Sequence, residues 1–203
     1  MCGVPHHSAD GYLARLLEAG HKVAIAEQVE DAAQAKGMVR REVVRVLTPG
    51  TLVEDDLLDS RDNNYVIAVS ERGEKVGVAV LDVSTGEFIA AEFDGDSARA
   101  RAREEIARWA PSEVCHPQSD SPADWLVPEE RSLPSVQGVR TWSPLADWNF
   151  DPQRARAGLC EHFGVSSLNG FDLSGCAVGV AAAGALLRYA SEESHKGPLH
   201  HVQ

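Results

Sequence analysis

The fold is decided by residues 65–93, which read YVIAVSERGEKVGVAVLDVSTGEFIAAEF. The stretch contains three runs rich in β-branched and aromatic residues, at 65–70, 75–83 and 87–93. Gly73 and Gly86 lie in the two short intervals between these runs. Short runs of this composition joined by glycine-containing turns are typical of antiparallel strands. The stretch therefore predicts a three-stranded antiparallel meander.

Helices and further strands are predicted after the meander. The clearest helix spans residues 151–164, where Asp151 can act as the N-cap and Pro152 suits the first helical position. Gly164 can adopt the left-handed conformation that ends a helix. The other predicted elements are a helix at 97–110, short strands at 113–116 and 139–142, and a helix rich in small residues at 176–190. The small residues of the last helix predict close packing against its neighbours.

The first fifty residues predict a smaller α/β unit. A helix that begins near Ser8 or Asp10 ends at Gly20, and a strand follows at 22–28. A second short helical stretch comes next, and the run EVVRVL at 42–47 predicts the edge of a sheet. Residues 53–64 are polar and strongly acidic, which predicts a linker between two packed units.

The net charge of −12 is distributed unevenly along the chain. Residues 1–50 carry six basic and six acidic side chains, whereas residues 51–203 carry 13 basic and 25 acidic ones. Only the first part could approach a polyanion without electrostatic penalty. Four of its cations cluster around Gly37: Lys36, Arg40, Arg41 and Arg45. They could contact a duplex backbone, or they could form an ordinary solvated face paired with neighbouring carboxylates, and composition alone leaves both interpretations open.

Several function classes receive no support from motifs. The sequence has no apolar run of the roughly 20 residues that a membrane-spanning helix needs, so we expect a soluble, cytoplasmic protein without a membrane partner. It has no phosphate-binding loop with a lysine, no nucleophile elbow, no zinc-protease motif and no dinucleotide-binding glycine pattern. Its four cysteines form no C-x-x-C pair. The chain is therefore predicted to hold no metal and no catalytic residue.

Asp82 supplies the one enzymatic alternative. It lies near the end of the central strand of the meander, where ribonuclease-H-like nucleases carry a metal-binding carboxylate. Two-metal chemistry needs several carboxylates converging on the ions. The candidate partners Asp56, Glu87 and Asp172 each fall in a predicted turn or linker. The favoured interpretation is that Asp82 accepts hydrogen bonds from the turn that follows it, and a metal-dependent nuclease centred on Asp82 is the alternative.

Ordered blocks of sequence run along the whole chain. They are CGVP at 2–5, VAIAEQ at 23–28, REVVR at 41–45, TPGT at 48–51, DNNY at 62–65, LDVSTGEF at 81–88 and AAGALLRY at 182–189. In this order the blocks closely resemble the MutS family of DNA mismatch-recognition proteins. The resemblance is weakest between residues 94 and 148.

The resemblance implies a fragment of a longer protein. It assigns residues 1–52 to the C-terminal part of a mismatch-binding domain, 65–190 to a non-catalytic connector domain, and 191–203 to the start of the following core or lever region. The implied fold is α/β, a mixed-sheet ribonuclease-H-like connector preceded by a partial α/β mismatch-binding domain. No phenylalanine here is followed two residues later by glutamate, so the family's mismatch wedge is absent from this sequence. ATP and Mg²⁺ are expected only for a C-terminal ATPase domain outside this chain, which itself is not expected to be an enzyme.

Two surfaces and two partners follow from the resemblance. The residues expected near mismatched double-stranded DNA are Gln28, Lys36, Arg40 and Arg41. The residues expected to dock the MutL partner are Arg154, Arg156, Ala157 and Gly158. The full-length protein is expected to be a homo-oligomer.

Overall fold

The computed structural model describes residues 3–30, 39–51, 63–120, 123–126, 139–173, 175–194, 199 and 201–202. Within them, a leading α/β unit packs against a five-stranded mixed sheet that has helices on both faces. The leading unit consists of helix α1 (Ala9–Glu18) and strands β1 (Val23–Gln28) and β2 (Arg41–Leu47). The two strands pair antiparallel, with Val23 opposite Leu47 and Gln28 opposite Arg41. Leu17 and Leu47 are buried between the helix and this hairpin.

The larger sheet begins with the meander. Its strands are β3 (Tyr65–Arg72), β4 (Lys75–Asp82), β5 (Phe88–Asp94), β6 (Glu113–Pro117) and β7 (Thr141–Leu145). They are ordered β5-β4-β3-β6-β7 across the sheet. The β3–β4 and β4–β5 pairs are antiparallel, which confirms the predicted meander, and β6 and β7 add parallel to β3. The α/β class with a mixed sheet is therefore confirmed.

Helices cover both faces because the strands of the meander are apolar on both sides. The helices are α2 (Ala98–Trp109), α3 (Ala123–Leu126), α4 (Pro152–Phe163) and α5 (Ala177–Ser194). Successive residues of a strand point to opposite faces. Ile67 and Val69 accordingly pack with α2 and α3, whereas Val66 and Ala68 pack with α4 and α5.

Most of the predicted helix and strand boundaries agree with the structure. Asp151 caps α4 by accepting from the backbone N–H groups of Gln153 (3.1 Å) and Arg154 (2.8 Å), and Gly164 ends it at φ +64°. The strand expected at 139–142 lies instead at 141–145, and α5 extends four residues beyond the predicted end at 190. The predicted short helix after β1, Lys36 and most of the linker at 53–64 fall outside the described residues.

The N-terminus of α5 is held by a carboxylate from the sheet. Glu92 Oε2 accepts hydrogen bonds from the backbone N–H groups of Val178 (2.8 Å) and Gly179 (3.1 Å). Lys75 Nζ donates to Glu92 Oε1 at 2.7 Å. Further along α5, a Cβ on Gly184 would overlap Ala155 of α4, so this glycine permits the close helix packing that the small residues predict. No helix among the described residues is both long enough and apolar enough to span a bilayer.

Candidate functional site

A buried carboxylate, Glu113, lies where the leading unit meets the five-stranded sheet. It is the first residue of β6 and is 0% exposed. Its Oε2 accepts from the hydroxyl of Thr48 at 2.6 Å and from the N–H of Gly50 at 3.1 Å. Its Oε1 accepts from the hydroxyls of Tyr189, at 2.5 Å, and Ser143. These donors replace the hydrogen bonds that water would give the carboxylate. Without them, burial of the charged group would cost roughly several kcal/mol.

Lys22 supplies a positive charge on the solvent side of this cluster. Its Nζ lies 3.5 Å from Glu113 Oε1 and donates to the hydroxyl oxygen of Tyr189 at 3.1 Å. The Lys22 side chain is 38% exposed, so Lys22 lies at the edge of the buried cluster. Burial, and then the charge of Glu113, raise the pKa of Tyr189 well above its ordinary value. The phenol therefore stays protonated and remains a donor to the carboxylate.

The turn after β2 fits tightly against the sheet. A Cβ on Gly50 would lie 2.7 Å from the Cβ of Glu113 and 2.8 Å from that of Val66, closer than side chains normally approach. Asn64, one residue before β3, donates from Nδ2 to the carbonyl of Pro49 at 2.7 Å. The turn can thus approach the sheet closely because Gly50 has no side chain, and the hydrogen bond from Asn64 holds it there.

A second contact joins the leading unit to β7. The hydroxyl of Thr141 donates to the carbonyl of Gly20 at 2.5 Å. Gly20 has φ +82°, and a Cβ there would overlap the carbonyl oxygen of Arg140. The end of α1 and the end of β2 therefore both contact the large sheet, which fixes the direction of the hairpin.

The far end of the hairpin carries three of the four residues predicted to face DNA. Gln28 pairs with Arg41 in the strand register, and Arg40 immediately precedes β2. All three are exposed. At about 3.3 Å per residue, the six residue-to-residue steps from Arg41 to Leu47 separate this end from the Glu113 cluster by roughly 20 Å.

Arg40 is paired with acidic neighbours. Its guanidinium contacts the carboxylate of Glu42, and its backbone N–H donates to Glu30 Oε1 at 2.5 Å. Pairing of this kind is what the solvated-face interpretation anticipates. The side chains of Arg40 and Glu42 remain 70% and 50% exposed, so the pair is screened and weak, and the guanidinium stays accessible to other anions.

The residues predicted to dock a partner lie on the first half of α4. Arg154 and Ala157 are exposed, and Arg156 and Gly158 are partly exposed. A Cβ on Gly158 would meet nothing within 4 Å. The structure therefore brings these four residues onto an accessible part of one helix.

An exposed tryptophan that was not predicted from the sequence extends this surface. Trp148 is 47% exposed. The guanidinium carbon of Arg154 lies 5.8 Å from its ring centroid, and that of Arg188 on α5 lies 5.0 Å away. Aromatic and arginine side chains are enriched among residues that dominate binding at interfaces. The sequence signal was a tryptophan placed just before a well-capped helix, but its pairing with Arg188, 40 positions later, was not visible.

Asp82 has the turn-forming role favoured from the sequence. Its Oδ1 accepts from the N–H (2.8 Å) and hydroxyl (2.6 Å) of Ser84 and from the N–H of Thr85 (3.3 Å). The other oxygen, Oδ2, is buried and has no hydrogen-bond partner within the described residues. Among the described residues, no three His, Cys, Asp or Glu side chains are grouped so as to hold a metal ion. The nuclease alternative is therefore not favoured.

Comparison with known proteins identifies the family. The family model for MutS domain I matches residues 1–56, and that for MutS domain II matches residues 64–203. The chain belongs to the MutS family. Proteins named DNA mismatch repair protein MutS from Syntrophomonas wolfei and Symbiobacterium thermophilum are 41% and 42% identical over 100% of the chain, and one from Syntrophobacter fumaroxidans is 46% identical over 93%. The chain spans only 20–23% of the length of these relatives.

The Glu113 cluster joins the two matched MutS domains. Lys22, Thr48 and Gly50 lie in the part that matches domain I. Glu113 and Tyr189 lie in the part that matches domain II, as does Ser143. This cluster was not predicted from the sequence, because a glutamate at the start of a short strand resembles an ordinary edge residue until its partners are known.

Proposed function

We propose that this chain links the mismatch-binding domain of a MutS protein to the rest of the molecule and holds the two in a fixed relative geometry. The observation that carries the proposal is the buried carboxylate of Glu113, which accepts from Thr48 and Gly50 on one side and from Ser143 and Tyr189 on the other. A fully buried group with donors from both parts couples them more strongly than exposed ion pairs would. The link can therefore transmit the position of bound DNA.

The DNA-facing end of the link is the tip of the hairpin. Gln28, Lys36, Arg40 and Arg41 are proposed to lie beside the duplex, with the cations neutralising phosphates and releasing counterions. The balanced charge of residues 1–50 supports this orientation, because the strongly acidic remainder of the chain would be repelled by DNA. The family's mismatch wedge would come from a segment outside this chain.

The partner-docking end is the surface formed by Trp148, Arg154, Arg156, Ala157 and Gly158. We propose that it receives MutL. The exposed indole and guanidinium groups supply anchors of the type that dominate interface energies, and Ala157 and Gly158 leave room for close approach of another backbone. The Arg188 guanidinium on the other side of Trp148 extends the positive charge of this surface.

We also propose a fold for the connector domain and an activity for the full-length protein. The antiparallel meander, the helix that follows it and the two parallel strands beside β3 support a ribonuclease-H-like architecture without nuclease chemistry. We propose that the full-length protein is a cytoplasmic homo-oligomer that binds mismatched double-stranded DNA and hydrolyses ATP with Mg²⁺ in a separate domain. The large share of the relatives' length outside the match leaves room for such a domain.

The test is Glu113→Gln in the full-length protein. The amide would turn one acceptor into a donor that faces other donors, so the two parts should lose their fixed geometry. We expect the affinity for mismatched DNA to fall towards that for homoduplex DNA, while the DNA-independent ATPase rate is retained. Glu104→Gln is the matched control, because Glu104 is an exposed carboxylate on α2. Unchanged mismatch selectivity in a folded Glu113→Gln protein would refute the proposal.

A further inference from the structure

An apolar cavity of about 120 Å³ lies between β5, α4, α5 and the loop that joins the two helices. Phe88, Leu159, Phe163, Phe171 and Ala183 are among its lining residues. Leu159 and Ala183 form a buried floor. An apolar protein cavity of ~150 Å³ accommodates benzene, so this one suits a single alkyl or phenyl side chain.

Three phenylalanine rings form one wall of the cavity and continue to the surface. The ring of Phe163 lies 6.4 Å from that of Phe88 and 5.1 Å from that of Phe171, measured between centroids. Phe171 is 45% exposed. Exposure of a large aromatic side chain at the mouth of an apolar cavity is typical of a binding site.

The sequence around the cavity is acidic. Within two positions of its lining residues the charged side chains are all carboxylates: Glu87, Glu92, Glu161 and Asp172. The same windows contain no lysine or arginine. Glu92 is already paired with Lys75, and Glu87 accepts a hydrogen bond from the hydroxyl of Tyr65 at 3.1 Å, whereas Glu161 and Asp172 are exposed. The surroundings therefore favour a ligand that carries positive charge beside its apolar group.

We propose that this cavity binds one large apolar side chain, Leu, Ile or Phe, of a partner peptide whose neighbouring residues are Lys or Arg. The site is distinct from the Arg154 surface, whose charge has the opposite sign, and it goes beyond the function proposed above. The apolar side chain supplies the affinity by leaving water, and the flanking cations orient the peptide against the acidic surroundings.

The test measures fluorescence anisotropy of labelled peptides with the chain. The probe is Lys-Lys-Leu-Phe-Lys-Lys, and the controls are Lys-Lys-Ala-Ala-Lys-Lys and Glu-Glu-Leu-Phe-Glu-Glu. Burying one large apolar side chain contributes enough free energy to change affinity about tenfold or more. We therefore expect the alanine peptide to bind at least about tenfold more weakly than the probe. We expect the acidic peptide to bind more weakly than the probe as well. Equal binding of the probe and the alanine peptide would overturn the apolar site, and equal binding of the acidic peptide would overturn its charge preference.

Variants of the chain locate the binding. Ala183→Leu should fill the cavity and weaken probe binding about tenfold, whereas Ala100→Leu on α2, at the other face of the sheet, should not. Phe171→Ser removes the exposed ring and should also weaken binding, even if Ala183→Leu fails to fold. Asp172→Asn removes a negative charge but keeps a residue type that tolerates φ +56°. It should weaken binding of the Lys-containing probe and leave binding of the acidic peptide unchanged. Probe binding that is unchanged in Phe171→Ser and in folded Ala183→Leu would place the peptide elsewhere and refute the proposal.

Discussion

The hydroxyl of Tyr189 donates a 2.5 Å hydrogen bond to the carboxylate of Glu113, 76 residues earlier in the chain. Tyr189 lies on α5, and the same carboxylate accepts from Thr48 and Gly50 in the leading unit. The buried side chain of Glu113 thus contacts both helix α5 and the turn that follows β2. The position of the hairpin relative to α5 depends on this carboxylate, and so do several measurable properties.

Tyr189→Phe should destabilise the chain by about 1–3 kcal/mol, because it removes a donor to buried Glu113 and leaves a carboxylate oxygen with one partner fewer. It also removes the oxygen to which Lys22 donates. The measurement is urea-induced unfolding followed by circular dichroism. Tyr12→Phe is the matched control, because Tyr12 is an exposed tyrosine on α1. A stability equal to that of the unmodified chain would mean that the cluster does not support the junction.

Gly50→Ala should destabilise the chain by about 1–3 kcal/mol through overpacking, because the new methyl group would press on Glu113 and Val66. Gly158→Ala is the contrasting variant. Its Cβ would meet no atom within 4 Å, and it lies inside α4, so helix propensity predicts a gain of up to about 1 kcal/mol. Chemical denaturation of both variants checks the pair. If both variants or neither were destabilised, the tight packing of Gly50 against Glu113 and Val66 would be contradicted.

Glu92 should make stability depend on pH. Burial of this carboxyl favours its neutral form, but hydrogen bonds from Lys75, Gly179 and Val178 outweigh burial and hold the pKa below its ordinary 4.5. The folded chain thus keeps the carboxylate ionised at pH values where the unfolded chain already binds a proton. The stabilisation is complete above the unfolded-state pKa and is lost as the pH falls through the folded-state pKa.

Glu92→Gln should therefore be less stable than the unmodified chain near neutral pH, and the difference should shrink as the pH falls below 4.5. Unfolding free energies measured by urea titration over this range provide the check. Lys75 does not complicate the result, because its hydrogen bond to Glu92 raises the pKa of its ammonium further above the range. A difference that stays constant with pH would mean that the carboxylate contributes no charge-dependent stability.

Local signals account for what the sequence predicted correctly. The meander follows from β-branched runs and glycine turns, α4 follows from Asp151 and Gly164, and the role of Asp82 follows from the serine and threonine beside it. Each of these signals acts within a few residues of its element. The boundary of β7 was less accurate, because this parallel strand is defined by pairing with β6 and not by its own composition.

Long-range contacts explain what the sequence did not predict. The donors to Glu113 come from positions as far apart as Thr48 and Tyr189, and no periodicity connects them. Trp148 meets Arg188 only because α5 packs beside the turn that precedes α4. Such groupings depend on the assembled sheet. The predicted DNA-facing and MutL-docking residues stay predictions.

The isolated chain should bind homoduplex and mismatched DNA weakly and without preference. Its net charge is −12, and no Phe-x-Glu wedge is present in its sequence. The cations at the hairpin tip can add only a small electrostatic contribution, which salt should remove. Anisotropy titrations of both duplexes over a series of salt concentrations make the comparison. Tight, mismatch-selective binding by this chain would overturn the assignment of the wedge to another segment.

Reversing the charge of Arg154 and Arg156 together should weaken MutL recruitment by the full-length protein and leave mismatch binding unchanged. Both side chains are accessible at the start of α4, and Arg154 also contacts Trp148, so the change alters the surface and not the core. Arg101→Glu with Arg108→Glu on α2 is the matched control, because it reverses two charges at the other face of the sheet. Pull-down of purified MutL measures recruitment. If the control pair weakens recruitment as much as the α4 pair, net charge and not this surface governs docking.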